Sequence, residues 1–138
     1  MLATIPSHNS PQAIESAKVV ALIILYARQG LSKEEIIKKL NLKITKPQLK
    51  KFNYTCQDTI GICLYSLFTS TSFEQSIRKA ISFGGDTDTN ACIVGSMAEA
   101  MFGVPEELKK KAYLKLSENF KQILNMAYSR IMDLNKKL

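Results

Sequence analysis

Residues that start and end helices divide this chain into segments whose apolar residues recur at helical spacing. Pro11 follows two residues of the capping type, and Gly30 ends the apolar stretch that comes next. Ser32 and Glu35 have the spacing of a capping box, and Pro105 stands where another helix is expected to begin. No long alternation of apolar and polar residues, as in a half-buried strand, is present. The sequence therefore predicts an all-α fold.

Three stretches carry more specific expectations. The residues from Val19 to Ala27 would form a helix that is apolar on nearly every side, so we expect that helix to be central. Residues 52–58 have no helical pattern and are predicted to form a loop. The tail from Glu106 to Leu138 carries an apolar stripe, which we interpret as core or, alternatively, as a seam for a partner helix. The stripe consists of Phe120, Leu124, Ala127, Ile131, Leu134 and Leu138.

The run GGDTDT at residues 84–89 concentrates oxygen ligands where a helix is predicted to begin. Its carboxylates and hydroxyls suit Mg²⁺, Mn²⁺ or Ca²⁺, whereas helix capping would need only one such residue. Asp86 and Asp88 do not share a face of a regular helix. They can converge only if the two glycines place Asp86 before the helix and Asp88 in its first turn. The small-residue helix that follows is expected over Asn90 to Gly103.

Residues 84–103 (GGDTDTNACIVGSMAEAMFG) resemble the C-terminal signature of the ADP-ribosylglycohydrolase family, whose members include dinitrogenase-reductase-activating glycohydrolase. In that signature, small residues such as Gly95 occupy close-packing positions. Residues 4–17 (TIPSHNSPQAIESA) resemble a family segment that opens a buried helix, and residues 54–57 and 73–82 fit the family's order of elements. The resemblance covers nearly the whole chain and implies a compact, orthogonal multi-helix domain.

The resemblance also implies an activity and a metal site. It assigns Asp86, Asp88 and Thr89 as metal ligands in a site for two Mg²⁺ ions, with Mn²⁺ as a substitute. It implies hydrolysis of the bond between ADP-ribose and a modified protein or a small acceptor. The alternative is a catalytically inactive relative that binds ADP-ribose or serves as a structural helical domain. The catalytic residue remains unassigned.

Substrate contacts are implied for three further residues. His8, just before a predicted helix, would contact the ribose or a phosphate of ADP-ribose, although a surface or capping histidine would have the same pattern. Gly84 and Gly85 would let the backbone approach the substrate closely. None of these residues belongs to a catalytic triad or to a phosphate-binding GxxxxGK loop.

Enzymes of this family are longer, and their N-terminal half carries an acidic Thr-Asp-Asp type cluster that completes the metal site. The nearest candidate here, Gln57-Asp58-Thr59, does not match that cluster. We therefore expect residues 1–138 to form a single all-α domain that corresponds to the C-terminal half of such an enzyme. A fragment, an isolated domain and a short natural relative all remain open. The missing ligands would come from self-association or from a partner.

Composition restricts the partners and the compartment. The net charge is +7, but the lysines are mixed with glutamates and lack interleaved aromatic residues, so we expect solvated helix faces rather than nucleic-acid binding. A basic module for nucleic acid or an acidic partner is the alternative. Cys56, Cys63 and Cys92 have no metal-ligand spacing and are expected to be reduced core residues. With no membrane-length apolar run and no leader sequence of the secretory type, we expect a cytoplasmic protein with no membrane partner.

Overall fold

The computed structural model describes residue 4, residues 6–48 and residues 55–135, with side chains up to residue 131. These residues form seven α-helices and no strand, which confirms the predicted all-α fold. The chain divides into two compact units, Met1–Gly103 and Val104–Leu138. The helices are α1 (Pro11–Arg28), α2 (Lys33–Leu40), α3 (Cys56–Phe68), α4 (Phe73–Ser82), α5 (Thr87–Phe102), α6 (Glu106–Lys115) and α7 (Glu118–Asn135).

Hydroxyl side chains cap the first four helices. The Ser32 hydroxyl accepts the backbone N–H of Glu35, whose carboxylate accepts the backbone N–H of Ser32, so the predicted capping box is confirmed. Ser10, Thr55 and Ser72 each accept a backbone N–H from the first turn of their own helix. Such contacts satisfy amide groups that no intrahelical partner reaches, and each is typically worth about 1 kcal/mol.

Two helix boundaries differ from the prediction. The expected loop at residues 52–58 is wrong at its C-terminal end, because α3 begins at Cys56. Thr55 and Asp58 explain this start, since the Thr55 hydroxyl accepts the Asp58 backbone N–H (3.1 Å) and donates to its carboxylate (2.9 Å). Residues 52–54 lie outside the described residues. Helix α5 begins at Thr87, before the expected start at Asn90.

Helix α5 is the centre of the first unit and packs against α1, α3 and α4. The expectation that α1 is central was wrong. Only Ala13 and Ile23 of that helix are buried, and Leu25 is 48% exposed. Helix α1 packs on α2, α3 and α5 and leaves part of its surface exposed. The buried apolar cluster consists of Ile23, Ile36, Ile62, Cys63, Leu64, Leu67, Phe68, Ala80, Phe83, Val94, Met97 and Ala98.

Helices α3 and α5 run in the same general direction. The Lys33 ammonium donates to the backbone oxygen of Phe68 (3.5 Å), at the end of α3, and lies 4.9 Å from the centre of the Phe102 ring, at the end of α5. The C-terminal ends of α3 and α5 therefore lie together, beside the start of α2. The Cys63 Sγ in α3 lies 3.6 Å from the Asn90 backbone oxygen near the start of α5. The N-terminal ends of α3 and α5 therefore lie toward the opposite end of the unit.

The second unit buries little of its own surface. Helix α6 has no buried residue, and Phe120 and Ile131 of α7 are 63% and 52% exposed. The expectation that the stripe on α7 belongs to a core is therefore wrong for the described side chains, because two helices cannot cover an apolar stripe on all sides. Leu134 and Leu138 lie outside those side chains. Although α7 has 18 residues, no described helix is long and apolar enough to cross a membrane.

Replacing Gly95 by alanine is expected to leave the free energy of unfolding unchanged or to raise it by up to about 1 kcal/mol. An added Cβ would lie 3.7 Å from the Ile77 Cδ1 atom, which is ordinary contact, so close packing does not require this glycine. Urea denaturation measures the change. As the control, Gly30→Ala should destabilise by about 1–2 kcal/mol, because Gly30 has a φ of +83°. A comparable loss at Gly95 would show that α4 and α5 do need a glycine there.

Candidate functional site

A tight turn joins α4 to α5 and forms the centre of the candidate site. Gly84 and Gly85 have φ angles of 72° and 73°, values that other residues rarely adopt. The Gly84 N–H donates to the Ile81 backbone oxygen (3.0 Å), and the Thr87 N–H donates to the Gly85 backbone oxygen (3.0 Å). The chain thus reverses within four residues. Asp86 precedes α5, and Asp88 lies in its first turn, the arrangement expected from the sequence.

The Asp86 side chain does not cap α5. It occupies the N-cap position, yet it makes no capping hydrogen bond, unlike the N-cap hydroxyls of α1 to α4. The Asp86 carboxyl instead lies in hydrogen-bonding contact with the Asp88 carboxylate. Helix capping therefore does not explain why an aspartate stands at position 86.

Hydrogen bonds to Asp88 hold the pKa of its carboxyl below the ordinary value. The contact with Asp86 has the largest effect, followed by the backbone N–H of Thr89, which donates to Asp88 Oδ1 at 2.9 Å. Two carboxylates in contact repel each other unless a proton or a cation lies between them. The pair therefore has the charge and the oxygen donors that a hard divalent cation prefers.

The donor set is nevertheless small. In the part of the chain that the structure describes, no three His, Cys, Asp or Glu side chains come together as a metal site would require. Asp86 and Asp88 supply two carboxylates, and Thr89 is exposed on the same turn. The residue types fit Mg²⁺ or Mn²⁺, but a complete coordination sphere needs oxygen ligands beyond these three.

A cavity of about 260 Å³ lies beside the turn. Pro47, Ile62 and Phe83 form the apolar part of its wall. The space at Gly61 is open, since an added Cβ there would meet no atom within 4 Å. Sequence reasoning missed this cavity, because its walls come from three separate segments and no local pattern links them. Its lining residues are Thr45, Pro47, Gln48, Gln57, Asp58, Gly61, Ile62, Phe83 and Gly84.

His8 is exposed and lies just before α1. Its Nδ1 is 3.0 Å from the Ser7 hydroxyl, and its backbone N–H donates to the Thr4 backbone oxygen (2.8 Å). The hydrogen bonds of His8 thus join it to its own segment, and His8 does not line the cavity beside the turn. No group of three metal-ligating side chains within the described ranges includes it.

Two helix N-termini lie beside the cavity and the turn, those of α3 and α5. Each carries unsatisfied backbone N–H groups and a partial positive charge from the helix dipole. The site thus combines a carboxylate pair suited to a cation with helix ends that favour an anion. A phosphorylated ligand that binds together with a divalent cation would satisfy both.

Comparison with known proteins decides the family. The sequence profile of the ADP-ribosylglycohydrolase family matches residues 2–137. The chain belongs to the ADP-ribosylglycohydrolase family. The all-α fold and the GGDTDT turn agree with that membership.

Two curated relatives are similar to parts of this family member. The ADP-ribosylarginine hydrolase Tri1 of Pseudomonas putida (strain GB-1) is 24% identical over 78% of this chain and 34% of its own length. An uncharacterized protein of Archaeoglobus fulgidus is 36% identical over 42% of this chain and 21% of its own length. The chain therefore spans about a third or less of these relatives. No solved structure matches it significantly.

Removing the Asp86 side chain should cost little stability. We expect Asp86→Ala to lower the free energy of unfolding by about 0.5 kcal/mol or less, because no N-cap hydrogen bond is lost at α5. Ser72→Ala removes a true cap, the 3.2 Å contact to the Gln75 N–H, and should cost about 1 kcal/mol. Chemical denaturation compares the two variants. Equal losses of stability in the two variants would show that Asp86 caps α5.

The cysteines should differ sharply in reactivity, because the expectation that all three lie in the core is wrong for Cys92, which is exposed. Burial raises the pKa of the Cys63 thiol to about 12, so at pH 8 a thiol reagent should label exposed Cys92 quickly and Cys63 only after unfolding. Cys56, half-buried, should react at an intermediate rate. Mass spectrometry of peptides from pulse-labelled protein measures each site. Fast labelling of Cys63 in the folded protein would contradict the packing of α3 against α5.

The same raised pKa has a consequence for stability. The unfolded thiol ionises near its ordinary value of 9.0, before the folded thiol does at about 12. This group's contribution is therefore fully present below pH 9 and falls as the pH rises between these two values. Replacing Cys63 by alanine should flatten that part of the pH–stability curve, and replacing Cys92 should not.

Proposed function

We propose that this chain contributes one wall of an active site that hydrolyses the bond between ADP-ribose and a protein side chain or small acceptor. The observation that carries the proposal is the uncapped Asp86 in contact with Asp88, at the start of a helix and beside a cavity. Family membership supports the reaction class. A relative named for ADP-ribosylarginine makes arginine the first acceptor to test.

In this proposal the residues hold and orient the substrate. Asp86, Asp88 and Thr89 would supply oxygen ligands to Mg²⁺, and the remaining ligands would come from a segment or partner outside the described residues. A divalent ion held there supplies positive charge that polarises substrate and water oxygens. Backbone N–H groups at the helix ends would face the substrate phosphates.

The cavity would take another part of the ligand. Its apolar residues, Pro47, Ile62 and Phe83, suit a ring, and its polar residues can bond to the ring edge. His8, exposed before α1, would contact a ribose hydroxyl or a phosphate. Gly84 borders the cavity and also belongs to the turn, so it would bring backbone close to the ligand.

An inactive relative that binds ADP-ribose, or that has only a structural role, is the second candidate. The number of metal-ligating side chains favours it, since the described residues supply only the two carboxylates. The two candidates differ in whether the Asp86 and Asp88 carboxylates bind a cation in the presence of ADP-ribose.

Calorimetric titration of Mg²⁺ in the presence of ADP-ribose tests the proposal. We expect binding by the wild-type chain and loss of that binding in Asp86→Ala/Asp88→Ala. The matched control is Glu106→Ala/Glu107→Ala, which makes the same change in charge on exposed residues of α6. No binding in the wild type, or equal binding in both double variants, would reject the cation site and favour the structural candidate.

Gly61→Leu tests the cavity within the same experiment. A leucine side chain would enter the open space at Gly61, so the affinity for ADP-ribose should fall at least about tenfold. Gly61→Ala, which adds only one carbon, serves as the control and should weaken binding less. Unchanged affinity in Gly61→Leu, with the fold intact by circular dichroism, would show that ADP-ribose does not use this cavity.

A further inference from the structure

One stretch of the sequence carries most of the net charge. From Ile36 to Gln57 the chain has six lysines and no aspartate or glutamate, so this stretch accounts for +6 of the total of +7. The six are Lys38, Lys39, Lys43, Lys46, Lys50 and Lys51. The structure describes the first four, which we call the lysine strip.

The lysine strip is exposed and has no acidic partner among the described side chains. All four of its residues are exposed, and none of them forms a salt bridge in the described ranges. The nearest acidic residues in sequence are Glu34 and Glu35, at the start of α2, and Glu35 is held by Ser32. The expectation of lysines mixed with glutamates holds elsewhere in the chain but not for this strip, which contains no acidic residue.

The strip leads directly to the cavity. Thr45, Pro47 and Gln48 line the cavity, and Lys46 stands between the first two in the chain. Lys43 and Lys46 belong to the segment after α2, which forms no helix. Lys46 therefore adjoins the space in which the proposed function places ADP-ribose, and Lys43 lies two residues before its first lining residue, Thr45.

We propose that the lysine strip binds the sugar–phosphate backbone of a nucleic acid, and that this nucleic acid carries the ADP-ribose group that the adjoining cavity receives. The role as carrier of ADP-ribose rests on the proposed function, but binding of the nucleic-acid backbone does not. The strip contains lysine and no arginine, and lysine is a point charge that contacts phosphates without reading bases.

The length and uniformity of the charge favour a nucleic acid over an acidic polypeptide. Lys43 and Lys46 are three residues apart, about 10 Å in extended chain, which matches about three nucleotides at 3.4 Å per strand. An uninterrupted positive stretch complements a polymer with one charge on every unit. An acidic peptide, whose charges are irregular, would not need such uniformity.

Lys43 and Lys46 are the residues to change. Lys38 and Lys39 lie in the last turn of α2, where positive charge also offsets the helix dipole, and the Lys39 Nζ lies 4.9 Å from the centre of the Tyr26 ring. Replacing Lys38 or Lys39 would change the stability of α2 together with nucleic-acid binding, so the two effects could not be separated. Lys43 and Lys46 are exposed outside any helix, so Lys43→Ala/Lys46→Ala should fold normally.

The test measures binding of an unmodified, fluorescein-labelled oligothymidylate by anisotropy between about 50 and 200 mM salt. The wild-type chain should bind, with an affinity that falls as salt rises. Each lost phosphate contact on a single strand removes about 0.7 from the slope of log affinity against log salt, so Lys43→Ala/Lys46→Ala should lower the slope by about 1.4. Lys110→Ala/Lys115→Ala, with the same change in charge on α6, should leave the slope unchanged.

Three outcomes would overturn the proposal. They are no binding by the wild type at the lowest salt, equal losses in the two double variants, and equally tight binding of polyglutamate that depends on Lys43 and Lys46. The last would identify an acidic polypeptide as the partner. The oligonucleotide carries no ADP-ribose, and its binding needs no Mg²⁺. The outcome of this test therefore does not depend on whether the proposed hydrolase activity is confirmed.

Discussion

Two consecutive residues with positive φ determine how the first unit is built. Gly84 and Gly85 let α5 follow α4 after a connection of only four residues, so α5 returns against α4 and reaches α1 and α3. The same short turn carries Phe83 and Gly84, which line the cavity, and Asp86, which precedes α5. One backbone constraint therefore sets both the packing of the central helix and the position of the carboxylates. A residue with a Cβ at either glycine would strain both at once.

Two effects at the start of α5 favour the charged form of Asp88. The helix dipole attracts a carboxylate in the first turn, and the hydrogen-bonding contact with Asp86 keeps the pKa of Asp88 low. Asp86 itself stands at the N-cap position without forming a capping hydrogen bond. Its carboxyl therefore contributes to α5 through Asp88 and not through a cap.

Local signals predicted the elements, and only contacts between segments revealed the site. The capping box at Ser32 and Glu35, and the glycine turn before Asp86, each depend on neighbouring residues and were readable in the sequence. The start of α3 was missed because the pair that caps it, Thr55 and Asp58, lay inside a stretch without apolar periodicity. Burial was the least predictable property, since the apolar side chains of α1 and α7 depend on what packs against them. The cavity has walls from three segments and no signature in any of them.

The cavity, the carboxylate pair and the lysine strip act over different distances, which separates their roles. The carboxylates act in contact, within the first turn of one helix, where salt has little effect. The lysines are exposed, and at physiological salt their influence is screened beyond about 8 Å. They can attract and align a charged carrier, but they cannot fix the position of a reacting bond. In the proposed function, that position would depend on the turn between α4 and α5 and on the cavity wall that α3 provides. A carrier held by the strip would therefore raise the local concentration of its ADP-ribose group without changing the geometry at Asp86 and Asp88.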